Sequence, residues 1–229
     1  GFYMPPRTGQ VKVENGFPDE QRPIRFEQPF AIARSEITLA QYRTFATETK
    51  RPAAPCDEVA LRTWINPGFT QNADHPVVCI TPLDADAYAV WLGARTQRVY
   101  RVASETEWGY AGERVGELKR VASAARAVAP AGTRSTEVEA DSEIEVTGID
   151  GNAAEIVADC WRTTLDRTPT DGRPHVYQHY CDARVVKGGG WRDGDNETNT
   201  SLRRPLGPKT ASSSVSFRVT ARAELTRQD

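Results

Sequence analysis

Several things are scarce in this chain of 229 residues, and each scarcity removes a class of function. No apolar run approaches the ~20 residues that a membrane-spanning helix needs. Neither sign of charge dominates: 29 Lys and Arg stand against 31 Asp and Glu, a net charge of −2. A partner that is nucleic acid or an anionic membrane surface is therefore not expected. Only 3 histidines occur, too scattered for a Ser-His-Asp arrangement. His175 and His179 stand four apart, a zinc-pair spacing if they lay on a helix. Pro174 and Asp171-Gly172 point instead to a loop carrying surface histidines. His75 precedes a proline, which suits local packing or hydrogen bonding. Hydrophobic residues are 38% of the chain, with Gly 17 and Pro 15, and mean hydropathy is −0.57. These values predict a loop-rich fold with a modest amount of regular structure. No signal peptide is visible at Gly1, which fits either a mature form or a chain that never had one.

No C-x-x-C pair occurs, so a zinc ribbon or a thioredoxin-like motif is not expected. The 4 cysteines are Cys56, Cys79, Cys160 and Cys181, one pair in each half of the chain. They are read as two local disulfides, Cys56–Cys79 and Cys160–Cys181. Each closes a loop of about 20 residues and contributes ~3 kcal/mol by loop-closure entropy. Disulfides imply a periplasmic or secreted location. The alternative is four reduced, buried thiols in a cytosolic protein.

Along the chain, Ile24-Arg25-Phe26-Glu27 and Phe30-Ala31-Ile32-Ala33 alternate with period two and read as extended. Thr38 is placed to cap a helix with apolar face Leu39, Tyr42, Phe45 and Ala46, which Lys50-Arg51-Pro52 ends. Residues 52–76 read as an irregular loop, and Val77-Val78-Cys79-Ile80 as a strand or extended segment. A second helix starts at Thr81 or Asp84, with apolar face Ala85, Tyr88, Ala89, Trp91 and Leu92. Val99-Tyr100-Arg101-Val102 is extended. Ser104 with Glu107 forms a capping box opening a short helix, Glu105–Ala111; the box explains Glu107 better than an acid/base pairing with Glu105, and Trp108 reads as core. Residues 112–147 show no clear period. Gly151-Asn152-Ala153-Ala154-Glu155 turns into a short strand, and residues 162–180 read as a surface loop. Residues 187–218 are the most informative stretch. Three glycines, Gly188, Gly189 and Gly190, precede Trp191, so the backbone places that ring. A polar run, paired Arg203 and Arg204, and a β-type ending Val215–Val219 follow. With no long linker and no internal repeat, residues 1–229 read as one domain of the α+β class, with two main helices and many short strands.

The order of these pieces resembles the formylglycine-generating-enzyme (sulfatase-modifying factor) family. Gly1-Phe2-Tyr3-Met4 resembles its opening Gly-x-Phe-x-Met-Gly, with Pro5 replacing the last glycine. Phe30-Ala31-Ile32 with Ser35–Phe45 is similar to its first helix region. His75-Pro76-Val77-Val78 with Asp84-Ala85, Tyr88 and Trp91-Leu92 resembles its second. Tyr100–Trp108 is similar to Tyr-Arg-Leu-Pro-Ser-Glu-Ala-Glu-Trp. Gly151–Glu155 with Asp159 and Trp161 is similar to Gly-Asn-Val-Trp-Glu-Trp, and the segment from Lys187 to Arg218 resembles its C-terminal signature. The resemblance implies the formylglycine-generating variant of the C-type lectin fold. The same cysteine placements occur in many bacterial members.

The resemblance also carries chemistry, and one departure from it. Enzymes of the family hold reactive cysteines near Asp193 and Asp195, a thiolate couple suited to Cu(I). Carboxylates are hard ligands, so neither copper nor formylglycine generation is expected here. Family members bind calcium near the Gly-Asn-Val-x-Glu turn. That carries over to the carbonyls of Gly151 and Ala153 and the carboxylate of Glu155, oxygen ligands that suit Ca²⁺. The family's upstream Asn ligand falls at Gly148, where Asp150 is a substitute, and the second calcium site has no counterpart. The alternative role of Glu155 is an ion pair with an arginine such as Arg218. The family's substrate groove implies a lining of Trp191, Arg192, Asp193, Asp195, Asn196 and Arg203, although Arg203 equally suits a buried partner of an acid.

Three functional readings remain open. One is a non-catalytic periplasmic recognition or regulatory module, accessory to the periplasmic part of a membrane-bound signalling kinase, as in type VI secretion. Another is a periplasmic enzyme of the same fold that oxidises a small-molecule or siderophore (pyoverdine) precursor. A third is a lectin-like binder of sugars or peptides.

Overall fold

The computed structural model describes residues 2–3, 8–13, 20–57, 59, 61–119, 133, 146–149, 151–164, 169–177, 181–193 and 202–222. In chain order the elements are β1 (Phe2–Tyr3), β2 (Thr8–Val13), β3 (Glu20–Arg25), β4 (Phe30–Ala33), α1 (Leu39–Thr49), α2 (Pro82–Thr96), β5 (Tyr100–Val102), α3 (Glu105–Lys119), β6 (Ala154–Cys160), β7 (Arg184–Lys187), β8 (Arg203–Leu206), β9 (Val215–Phe217) and β10 (Val219–Arg222). Short strands, few helices and long irregular connections make this the α+β class.

Each helix starts where its side chains satisfy the free amides of the first turn. The Thr38 hydroxyl accepts from Gln41 N and the Gln41 side chain accepts from Thr38 N, a reciprocal box at α1. Thr81 and Asp84 repeat it at α2, with Pro82 at the first helical position, where its missing N–H costs nothing. At α3, Glu107 N donates to Ser104 Oγ at 3.1 Å and Ser104 N to Glu107 Oε2 at 2.9 Å. This third helix runs to Lys119, past the expected end at Ala111. Gly112 and Gly116 lower its intrinsic propensity without breaking it. Most of residues 120–147 lie outside the described residues. Val77–Ile80, expected as a strand or extended, stays irregular yet wholly buried, its amides donating to Ile37 O and Ser212 O.

Two four-stranded sheets frame the fold, and the second carries the site. In one, the order is β1-β4-β10-β5; in the other, β8-β7-β6-β9. β6 pairs antiparallel with β7 and parallel with β9, setting Ala154 opposite Val215 and Ile156 opposite Phe217. α1 buries Leu39, Tyr42, Phe45 and Ala46, the face its period predicts. Phe45 meets Tyr88 edge-on at 5.5 Å, and Tyr88 meets Phe217 at 5.4 Å, joining both helices to β9. A second cluster joins Phe26, Phe30 and Ile32 to Trp108 and Tyr110 of α3 and to Val157 and Val185 of the second sheet. Truncating one of these aromatics to Ala costs about 3–5 kcal/mol.

Both expected disulfides are present. Cys56–Cys79 spans a Cα–Cα distance of 5.2 Å and Cys160–Cys181 one of 5.1 Å. Among the described residues, no helix is long and apolar enough to cross a membrane.

Candidate functional site

Four turns interlock to present Trp191. The glycine run preceding it is used in two ways. Gly188 sits at φ +70°, and a Cβ on Gly190 would come within 2.6 Å of Ser214 O, so the chain there passes against the serine turn. Trp191 N donates to Asn152 O at 2.9 Å, and its indole N–H donates to Ser213 O at 2.9 Å. Ala154 N donates to Ser214 O at 2.9 Å. The turns at 152–154, 190–193 and 211–214 are thus tied together around the ring. Trp191 is half-buried, with Phe69 edge-on at 5.0 Å and the Arg192 guanidinium over it at 4.9 Å.

Asp193 closes its own turn. Its carboxylate accepts from Gly190 N at 2.7 Å and from both terminal nitrogens of Arg204 at 2.8 Å. Burial raises its pKa, but the hydrogen bonds from Arg204 and Gly190 and the Arg204 charge outweigh it and hold the carboxyl below its usual range. Asp57 anchors the fourth turn. One oxygen accepts from Ser212 Oγ and Ser213 N, both at 3.1 Å, and the other from Ser213 Oγ at 2.5 Å. That second oxygen also meets Arg192 at 3.0 Å and Arg62 at 3.6 Å. Burial pushes Asp57 up; Ser213, Ser212 and Arg192 together pull it below the usual value. The Cys56–Cys79 bridge fixes this turn, because Asp57 N donates to Ala211 O and Cys79 N to Ser212 O.

Trp191, Arg192 and Asp193 therefore come together. Asp195 and Asn196, like Asp150 and His179, lie outside the described residues. Arg203 does not join them. Its guanidinium donates to both Glu105 oxygens, at 2.5 and 3.0 Å, and to Arg162 O at 2.9 Å, and it lies 5.0 Å over the Trp161 ring. This is the buried-partner role. The reason is the strand period: on β8, neighbouring side chains face opposite sides, so Arg203 points to Glu105 and Arg204 to Asp193. Asp57, Arg62, Phe69 and Arg204 join the site without having been expected there. The signals available were the run Ser212-Ser213-Ser214 and an Asp directly after a disulfide cysteine, neither of which names a partner.

Beside Arg203 lies a buried polar network. Asp159 accepts from Glu105 N at 2.6 Å and from His175 N at 2.8 Å. Burial first, then the Glu105 carboxylate, raises Asp159 to about 7. Lys187 Nζ stands 3.6 Å from Glu105. These groups clamp the loop 169–177 onto α3 and β6. His175 Nε2 is 3.4 Å from Arg162, and His75 Nδ1 is 3.3 Å from the Thr133 hydroxyl.

The calcium and copper suggested by the family test poorly against these residues. Both Glu155 oxygens are held by Arg218, at 2.6 and 2.5 Å, and neither side chain is exposed. The guanidinium already supplies the positive charge there and donates further to Ala33 O and Thr147 O. Ala153 is buried and Gly151 half-buried beside that pair. Among the described residues, no group of three or more His, Cys, Asp or Glu is placed to hold a metal. For copper, the donor chemistry is missing: all four cysteines are in disulfides, and Asp193 is occupied by Arg204.

Comparison with known proteins places the fold. The structure of PvdO from Pseudomonas aeruginosa is similar, with a TM-score of 0.74 and 23% identity over 94% of this chain and 91% of that one. Treponema denticola variable protein 1 gives a TM-score of 0.71 and 16% identity over 97% and 95%. CarF gives 0.54 and 16%, again over 97% and 95%. No curated protein sequence matches the chain. The family model described as sulfatase-modifying factor enzyme 1-like domain matches residues 6–223. With nearly its whole length matched, and with the helix caps, the glycine-to-tryptophan turn and the β6–β9 pairing in place, the chain belongs to the sulfatase-modifying factor enzyme 1-like domain family.

Proposed function

We propose that this family member is a recognition module of the periplasm that reads a ligand or a protein segment at the Trp191 site and does no bond-making chemistry there. The observation that supports the reading is Asp193. At the position where the resemblance expects a reactive cysteine, this chain has a carboxylate closed by a two-point pair with Arg204 and by Gly190 N. Such a group positions the turn and has no proton to exchange near neutrality. The two disulfides fit an oxidising compartment. In its fullest form the module is an accessory protein acting on the periplasmic part of a membrane-bound signalling kinase, as in type VI secretion.

The test is site-directed photo-crosslinking in the native envelope from a position beside Trp191, with and without Trp191→Ala. Capture of one membrane protein, lost with Trp191→Ala, is the expected result. The rival reading, oxidation of a siderophore (pyoverdine) precursor, expects turnover instead. Precursor consumed by the purified protein, with rate lost on Trp191→Ala, would replace the first reading by the second.

A further inference from the structure

Among the described residues, the arginines around Asp57 are out of balance with it. One carboxylate faces two guanidiniums, Arg192 at 3.0 Å and Arg62 at 3.6 Å. The same carboxylate already accepts three hydrogen bonds from Ser212 and Ser213. A guanidinium has more N–H donors than a shared carboxylate can take, and both arginine side chains keep 38% of their surface exposed. Neither is loose. Arg62 lies across Gly68, where a Cβ would come within 2.9 Å of its Nε. Arg192 rests on the Trp191 ring. The short turn that carries Arg62, closed by Cys56 N to Arg62 O at 3.0 Å, also exposes Val59 and Leu61 (86%), and Ile65 (69%) stands exposed in the turn that follows.

We propose that Arg62 and Arg192 together bind an oxyanion, foremost a carboxylate, on a ligand whose flat apolar part lies against Trp191 and Phe69. This rests on the reading of the Trp191 site as a recognition surface and adds the chemical class of what is read. Planar guanidiniums match the two oxygens of such a group, and the ring faces supply apolar contact at low entropic cost. Asp57 holds the two cations side by side before the ligand arrives, offsetting their mutual repulsion. The excess positive charge left over is what the ligand neutralises. The apolar residues of the Arg62 turn extend the contact for a ligand with a longer hydrophobic portion.

The experiment is calorimetric titration of the whole, oxidised protein with 2-naphthoate, its uncharged amide 2-naphthamide, and 2-naphthyl phosphate. Naphthoate should bind, with the amide weaker by about tenfold or more. Arg192→Gln and Arg62→Gln should each weaken the acid by a similar factor and the amide by much less. Raising the salt should weaken the acid alone. Binding of the phosphate ester in preference to the carboxylate would keep the oxyanion and change its source. Equal binding of acid and amide, unmoved by either arginine variant, overturns the oxyanion and leaves recognition at Trp191 standing. No binding of any probe, or binding unaffected by Trp191→Ala, overturns both. The acid–amide comparison uses the unaltered protein, so it decides even if an arginine variant folds poorly.

Discussion

Glu36 gives the sharpest prediction, because it is a buried carboxyl with no side-chain hydrogen-bond partner among the described residues. It follows β4, is 1% exposed, and among the described residues no side chain hydrogen-bonds either carboxyl oxygen, leaving only weak backbone pulls at Glu36 and Ala153. It sits beside the buried Glu155–Arg218 pair. Burial first and the Glu155 charge second raise its pKa from 4.5 to about 8, against weaker opposing pulls from Arg218 and from the backbone at Glu36 and Ala153. The sign follows from linkage. Between pH 4.5 and about 8, the folded protein keeps a proton that the unfolded chain releases, so stability falls as pH rises through that window. The slope reaches about 1.4 kcal/mol per pH step, and the whole window amounts to at most about 5 kcal/mol. Asp159, raised to about 7, adds a slope of the same sign, which cancels when only Glu36 is changed. The perturbation is Glu36→Gln, an isosteric neutral side chain. The assay is urea unfolding of the oxidised protein at pH 5, 6, 7 and 8, comparing midpoints at unchanged m value. The variant should lose part of the decline and gain on the parent with each step in pH, most of all at pH 8. Parallel stability curves for parent and variant would refute the claim that Glu36 is a neutral acid in the folded state.

Other expectations test the remaining features. A thiol-labelling count on the denatured, unreduced protein should find none free, and reduction should cost ~3 kcal/mol per bridge; four labelled thiols would overturn the pairing and, with it, the proposed periplasmic location. Glu155→Gln or Arg218→Met should destabilise by about 3–5 kcal/mol, since either leaves a buried charge alone; a loss below about 1 kcal/mol in urea unfolding would contradict the enclosed pair. Because Arg218 holds both Glu155 oxygens, EDTA and added calcium should leave the melting temperature unchanged, and a calcium-dependent rise that Glu155→Gln removes would restore the metal reading. Asp193→Ala and Arg204→Ala should each loosen the Trp191 turn, while the double variant should cost less than their sum; strict additivity would show that the pair is not coupled.

What the sequence made legible, and what it hid, divides along a physical line. Local rules were readable. Thr38, Thr81 and Ser104 mark helix starts because a cap is a contact between residues three apart. The buried face of α1 follows from its 3.6-residue period. The glycines before Trp191 announce a turn because side chains are excluded there. Partners far apart in the chain were not readable. Asp57 meets Ser213, and Arg203 meets Glu105 98 residues away. Nothing in the composition of either segment names the other. The paired arginines show the limit well: period two says that Arg203 and Arg204 face opposite ways, but only the fold decides which one reaches the site. The end of α3 was hidden for a different reason, since Gly112 and Gly116 weaken a helical pattern that the preceding turns still propagate.

If Asp193 stands where the family's enzymes hold a reactive cysteine, as the resemblance implies, the difference is more than the loss of a nucleophile. A thiolate couple must stay free to bind metal and must sit in a turn able to change partners. A carboxylate gripped by Arg204 and by the amide of Gly190 does the opposite, fixing the turn and with it the ring of Trp191. The neighbouring turn is fixed by the same means, with Asp57 held by Ser212 and Ser213 and by the Cys56–Cys79 bridge. Both acids are pulled below their ordinary pKa range, so both turns keep their charge and shape near neutral pH. The site is therefore preorganised by ion pairs and hydrogen bonds. Preorganisation of this kind favours tight, selective binding over chemistry that needs a mobile proton. If acidification well below pH 3.8, the ordinary aspartate value beneath which both acids are held, loosened the Trp191 site before it unfolded the helices, seen as Trp191 signal changing ahead of far-ultraviolet ellipticity, the ion pairs would be its fasteners. Simultaneous loss of both signals would place the holding energy in the core instead.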